Sequence, residues 1–96
     1  MYAVHAALIR RNSAVPIPNE AAGLLDVLWA HTRIEDGIEH MHARAGPERI
    51  DVLFFVSAPS EPHAQESALN LLSRTHGQSR SVSEAYSIPE SFDETE

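Results

Sequence analysis

The sequence predicts an α+β domain in which an antiparallel sheet carries two helices on one face. Three short segments alternate two sets of side chains, as half-buried strands do. Two longer segments instead repeat apolar residues every three or four positions, which is typical of amphipathic helices. A compact turn sequence joins two of the strand segments and indicates a hairpin.

The first strand is predicted over residues 2–9. Alternation places two sets of side chains on opposite sides of it, namely Tyr2, Val4, Ala6 and Leu8 against Ala3, His5, Ala7 and Ile9. A loop over 10–18 follows and ends in Pro16-Ile17-Pro18. The Arg10-Arg11 pair at its start is expected to be a solvated strand end rather than a phosphate site.

The first helix is predicted over 20–33. Asn19 is a favourable N-cap, and Glu20 suits the first turn because a carboxylate is stabilised at the positive end of the helix dipole. The apolar stripe follows helical spacing through Ala21, Leu24, Leu25, Leu28 and Thr32. The segment 35–37, Glu-Asp-Gly, then ends the helix.

The hairpin is predicted from strands over 38–44 and 49–57, joined by a four-residue turn at 45–48. Pairing Arg44 with Arg49 sets His42 opposite Asp51, His40 opposite Leu53, Ile38 opposite Phe55, Met41 opposite Val52 and Glu39 opposite Phe54. The side that carries Ile50, Val52, Phe54 and Val56 is wholly apolar apart from Glu39. This side is therefore expected to face the helices.

The second helix is predicted to begin after Ser60, an N-cap residue, and to end at Gly77, a C-cap residue. Residues 82–88 alternate loosely and are expected to form a final edge strand. Residues 89–96 contain no basic residue and are predicted to be a flexible acidic tail. A single domain is therefore expected over 1–88.

The predicted order is β-α-β-β-α-(β), the split βαβ order of the ferredoxin-like fold. In that topology four antiparallel strands lie in the order 4-1-3-2. Both helices cover one face of the sheet and leave the other face open.

Composition restricts the classes of function. The chain has 96 residues, a net charge of −7 and no cysteine. Its acidity disfavours nucleic-acid binding, because phosphate contacts need a basic patch. The lack of cysteine excludes disulfides and thiolate chemistry and fits a reducing cytoplasm. The apolar runs are too short to cross a bilayer, and a signal-peptide pattern is missing at the N-terminus. A cytoplasmic protein without membrane contact is therefore expected.

The open face of the predicted sheet combines imidazoles, a carboxylate and apolar side chains. Its members are His5, Ile9, Ile38, His40, His42, Asp51, Leu53 and Phe55. Apolar side chains grouped in this way usually mark an interaction surface. We therefore expect a homodimer that forms through this face.

Two kinds of chemistry are conceivable on this face. A histidine beside a carboxylate can act as a general base, and the predicted register puts His42 next to Asp51. An apolar small molecule could then be held by His5, His40, Leu53, Phe55 and Tyr86. His40, His42 and Asp51 are also weak candidates for metal ligands, because two-residue spacing places both imidazoles on one side of a strand. No cofactor is predicted.

The leading interpretation is a small binding or accessory module that self-associates through its open sheet face. The expected partners are a second copy of the chain and a further protein or an apolar small molecule. The alternative is a small dimeric enzyme without cofactor, of the oxygenase, cyclase or isomerase type, in which His42 and Asp51 act as an acid–base pair. A tightly packed dimer interface favours the module, whereas a pocket above the histidines favours the enzyme.

Overall fold

The computed structural model describes residues 1–11 and 18–89. Within these ranges the protein is an α+β structure with a four-stranded antiparallel sheet and three α-helices. The elements are β1 (Tyr2–Arg10), α1 (Glu20–Ala30), β2 (Ile38–Ala45), β3 (Arg49–Val56), α2 (Glu61–Gln78), α3 (Arg80–Ala85) and β4 (Tyr86–Ser87). One 3-10 turn, Ile34–Asp36, lies between α1 and β2. None of the described helices is long and apolar enough to cross a membrane.

The strand order is β2-β3-β1-β4, which is the predicted order. β1 and β3 lie in the middle and pair along nearly their whole length. β4 pairs with only two residues of β1, Ile9 and Arg10. The sheet is therefore essentially three strands wide, with a short fourth strand at one corner.

One side of the sheet forms the core with the helices, as the alternation predicts. The sheet contributes Val4, Ala6, Leu8, Met41, Ile50, Val52, Phe54 and Val56, and the helices contribute Leu24, Leu28, Ala64, Ala68, Leu71, Leu72 and Val82. All of these side chains are buried. Removal of their apolar surface from water is the main force that fixes the helices on this side.

The hairpin register differs from the predicted one. The N–H of Gly46 donates to the carbonyl of Arg49 at 2.8 Å, so the loop contains only Pro47 and Glu48 rather than four residues. Consequently Arg44, and not His42, lies opposite Asp51. The shift moves each partner by two residues, which preserves the side on which every paired residue of β3 lies.

A β-bulge at Glu39 corrects a second expectation. The register changes between Ile38 and His40, so that Ile38 lies opposite Val56 and packs against the core instead of joining the open face. In a regular strand Glu39 would face the helices; the extra residue leaves it exposed. The bulge thereby removes the single polar exception from the apolar side of the hairpin.

The first helix begins at the predicted residue, but the side chain of Asn19 does not cap it. Asn19 adopts a left-handed conformation, with φ of 62°, and its side chain makes no capping hydrogen bond. α1 ends at Ala30 rather than residue 33, and a 3-10 turn takes up the following residues. Gly37 then has φ of 70°, and a Cβ there would collide with the backbone carbonyl of Ser57.

The C-terminal part contains a helix where an edge strand was predicted. Ser60 caps α2 as expected, but α2 runs through Gly77 to Gln78. The hydroxyl of Ser79 then accepts from the N–H of Val82 and starts α3. Only Tyr86–Ser87 of the predicted strand 82–88 is extended. The predicted tail lies outside the described residues beyond Pro89, as does most of the predicted loop 10–18.

Candidate functional site

The open face of the sheet is the side of β1, β2 and β3 that lies opposite the helices. It carries Ala3, His5, Ala7, Ile9, His40, His42, Arg44, Arg49, Asp51, Leu53 and Phe55. The described residues do not cover this side: Ile9 is 46% exposed, and both His40 and His42 are exposed. Leu53 and Phe55 are half-buried by their neighbours within the sheet.

His5 and Asp51 form the direct polar contact of this face. The Nε2 of His5 donates to Oδ1 of Asp51 at 2.8 Å. β3 pairs with β1 so that Asp51 lies opposite Ala7, which places His5 diagonally beside it. The Nε of Arg49 approaches the same carboxylate oxygen at 3.3 Å. The carboxylate of Asp51 therefore orients the His5 ring, as it would in an acid–base pair.

The expected pairing of His42 with Asp51 is absent, because the tighter hairpin loop sets His42 opposite Leu53. His40 lies opposite Phe55, and the two ring centroids are 5.8 Å apart. The contact is a tilted stacking arrangement. The two histidines of β2 therefore flank the apolar side chains of β3 rather than a carboxylate.

The metal candidates do not converge. Across the described part of the chain, no three histidine, aspartate or glutamate side chains are grouped as a metal site requires. Asp51 belongs to the diagonal contact with His5, whereas His40 and His42 lie beside Phe55 and Leu53. Two cavities are described, and neither is lined by a histidine or by Asp51.

Tyr86 lies on the helix-covered side and not on the open face. It stands opposite Arg10 in the sheet, and Arg10 shares the side of Leu8. Its hydroxyl donates a hydrogen bond to Oε2 of Glu20. The same oxygen accepts a hydrogen bond from the guanidinium of Arg10. We name these three buried side chains the Arg10–Glu20–Tyr86 cluster. It contradicts the expectation that Tyr86 would line the open face, and the expectation that Arg10 would be solvated.

The cluster shifts the pKa values of two of its members. Burial, reinforced by the hydrogen bond to Glu20, raises the pKa of Tyr86 to about 12. The hydrogen bond to Glu20 outweighs burial and raises the pKa of Arg10. Arg10 also donates to the carbonyl of Gly46 from Nη2 at 2.8 Å. The cluster therefore ties the end of β1 to α1, to β4 and to the hairpin loop.

A second buried ion pair involves Arg74, near the C-terminal end of α2. Arg74 donates from Nη1 to Oδ2 of Asp36 at 2.9 Å and from Nη2 to Oδ1 at 3.0 Å. Arg74 also donates to the carbonyl of His31 at 2.7 Å. Burial alone would raise the pKa of Asp36, but hydrogen bonds from Arg74 and from the N–H of Arg33 lower it overall. This pair holds the 3-10 turn against α2.

Sequence reasoning did not find these buried contacts. For Arg10 a signal was present, because the alternation that puts Val4, Ala6 and Leu8 under the helices continues to residue 10. Asp36 and Arg74 are 38 residues apart, and the sequence offers no local signal that they pair.

Searches of protein families, of curated proteins and of solved structures find no significant match to this chain.

Proposed function

We propose that the protein is a small cytoplasmic binding module that forms a homodimer through its open sheet face. The observation that carries the proposal is the grouping on that face of the exposed Ile9 with the half-buried Leu53 and Phe55. Apolar side chains grouped on one flat surface are typical of interfaces. A second copy is the simplest occupant, because the same surface on two chains is complementary to itself under twofold symmetry.

The proposal includes a ferredoxin-like arrangement of the elements. The strand order β2-β3-β1-β4 and the position of α1 and α2 on one side of the sheet support it. α3 is then an addition before the short last strand. The absence of cysteine supports a reducing compartment.

The size of the face sets the expected strength of the dimer. Three strands about 4.8 Å apart, each with about eight residues at about 3.3 Å per residue, form a face with an area of about 400 Å². That is roughly half of the ~800 Å² per partner that stable complexes bury. We therefore expect a dissociation constant in the micromolar range, and a dimer that depends on protein concentration.

Sedimentation velocity from about 10 to about 500 μM tests the proposal, because interfaces of this size associate in that range. The wild-type protein is expected to shift from monomer to dimer across the series. Leu53→Glu places a charge in the centre of the face and is expected to remain monomeric. Ile9→Glu serves as a second variant, since Ile9 is more exposed than Leu53.

Ile34→Glu is the matched control. Ile34 is an apolar side chain with 98% exposure, but it lies on the 3-10 turn and not on the sheet. It is expected to dimerise like the wild type. A wild-type protein that stays monomeric throughout, or a folded Leu53→Glu protein that dimerises normally, contradicts the proposal.

The second candidate is a small enzyme that acts on an apolar molecule, and the His5–Asp51 contact at 2.8 Å favours it. In this version His5, and not His42, is the base. Neither described cavity borders the pair, so a second copy would have to enclose the substrate. Turnover would then disappear in Leu53→Glu together with the dimer.

A further inference from the structure

A cavity on the helix-covered side lies between α1, α3 and the end of β1. Its volume is about 440 Å³. Cavities of this size commonly hold small molecules. It is separate from the open face, so an inference about it is independent of the proposed dimer.

The cavity has an apolar wall and a polar end. Leu24 and Val27 of α1 and Val82 and Ala85 of α3 provide the apolar wall. The Arg10–Glu20–Tyr86 cluster provides the polar end. A mostly apolar wall with a few convergent polar groups is the usual composition of a small-molecule site.

Gly23 gives the cavity part of its space. It lies inside α1, where glycine is less favourable than alanine because it must give up more backbone freedom. A Cβ on Gly23 would meet no described atom within 4 Å. Gly23 is exposed, and no contact described for the fold depends on the absence of a side chain there. A molecule that lies against α1 would use this open space.

The polar end selects the head group of a ligand. The hydroxyl of Tyr86 donates a hydrogen bond to Glu20, and its oxygen can still accept one. Among the described residues that line the cavity, Arg10 is the cation, and it is already paired with Glu20. A ligand carboxylate would therefore meet the like charge of Glu20 without compensation, whereas a neutral hydroxyl would avoid this repulsion.

We propose that this cavity binds a small aliphatic molecule with a neutral hydrogen-bond donor, such as a medium-chain alcohol, at its polar end. The aliphatic part lies along the wall of α1 and α3. The hydroxyl donates to the phenolic oxygen of Tyr86.

The test titrates 1-octanol into the ¹⁵N-labelled full chain and follows the amide signals of Gly23, Leu24, Val82 and Ala85. These signals are expected to shift in a saturable way. Octanoate at neutral pH is expected to bind at least about tenfold more weakly, because its carboxylate would lose water beside Glu20. Octanoate that binds within tenfold of octanol, or more tightly, would overturn the assignment of the head group.

Gly23→Leu and Gly77→Leu form a matched pair of variants. Both glycines are inside helices, and a Cβ would meet no described atom at either position. Only Gly23 lines the cavity. Gly23→Leu is expected to weaken octanol binding about tenfold or more by occupying the space, and Gly77→Leu to leave it unchanged. Equal binding by the two variants, or no saturable shift in the wild type, overturns the proposal.

Discussion

The two sides of the sheet hold their polar side chains under different conditions. On the open face, the side chains of His5 and Asp51 are 55% and 31% exposed. On the helix-covered side, the side chains of Arg10 and Glu20 are only 3% and 9% exposed. The same kind of contact, a cationic or neutral donor on a carboxylate, therefore lies in water on one side and in the protein interior on the other.

The exposure of each contact determines how strongly it stabilises the fold. Exposed ion pairs stabilise a fold by about 0–1 kcal/mol, because water and salt screen them. Removal of one partner from a buried pair costs about 3–5 kcal/mol, because the other charge remains in a poor solvent. Each member of a buried pair is thus needed for stability as long as its partner is present. The histidines of the open face are not, which makes binding the better explanation for their presence.

Arg10→Met is expected to have the largest effect. It removes the cation beside Glu20 and the donors to the carbonyl of Gly46. We expect the free energy of unfolding in urea to fall by about 4 kcal/mol. Arg49→Met is the control, because Arg49 contacts a carboxylate on the open face and is exposed; its loss should stay below about 1 kcal/mol. Equal losses in the two variants would refute the contrast between the sides.

Asp36→Asn tests the helix-covered side through pH. The pKa of Asp36 is lower in the folded chain than its ordinary value of 3.8. The unfolded chain therefore takes up the proton first as the pH falls, so the stability contributed by Asp36 is present above about pH 4 and is lost below it. We expect the variant to be less stable by about 3 kcal/mol at pH 7.

The deficit of the Asp36→Asn variant should shrink as the pH falls below the ordinary pKa of Asp36, since protonation then weakens the wild-type pair as well. Urea unfolding at several pH values measures it. Asp26→Asn, on the exposed part of α1, is the control and should leave the pH profile unchanged. A deficit of constant size across the pH range would show that the charge of Asp36 is not what stabilises the turn.

The sides of the sheet could be predicted from the sequence because strand alternation is a local property. His5, His40 and His42 were placed opposite the helices without knowledge of any pairing, and they are exposed there. The register could not be predicted to the same degree, because it depends on whether the chain turns over two residues or four. A tighter loop at Pro47 and Glu48 was enough to replace the His42–Asp51 pair by Arg44–Asp51.

The polar contacts of the helix-covered side were hidden for a different reason. Glu20 was assigned to the helix dipole, a local role, although its carboxylate binds Arg10 and the distant Tyr86. The end of the chain was misjudged because the hydroxyl of Ser79 starts a helix in a segment with weak alternation. The first misjudgement concerns a contact between parts of the chain that become neighbours only in the folded structure, whereas the second concerns a local N-cap.

His5→Gln is expected to have the smallest effect and is the most direct test of the open side. Glutamine removes the imidazole but keeps a donor for Asp51, whose contact is exposed. We expect the free energy of unfolding to change by less than about 0.5 kcal/mol. Urea unfolding at about 1 μM, where a weak dimer is dissociated, keeps association out of the measurement. A loss above about 2 kcal/mol would mean that polar contacts on the open face also stabilise the monomer. Their presence would then no longer point to a binding surface.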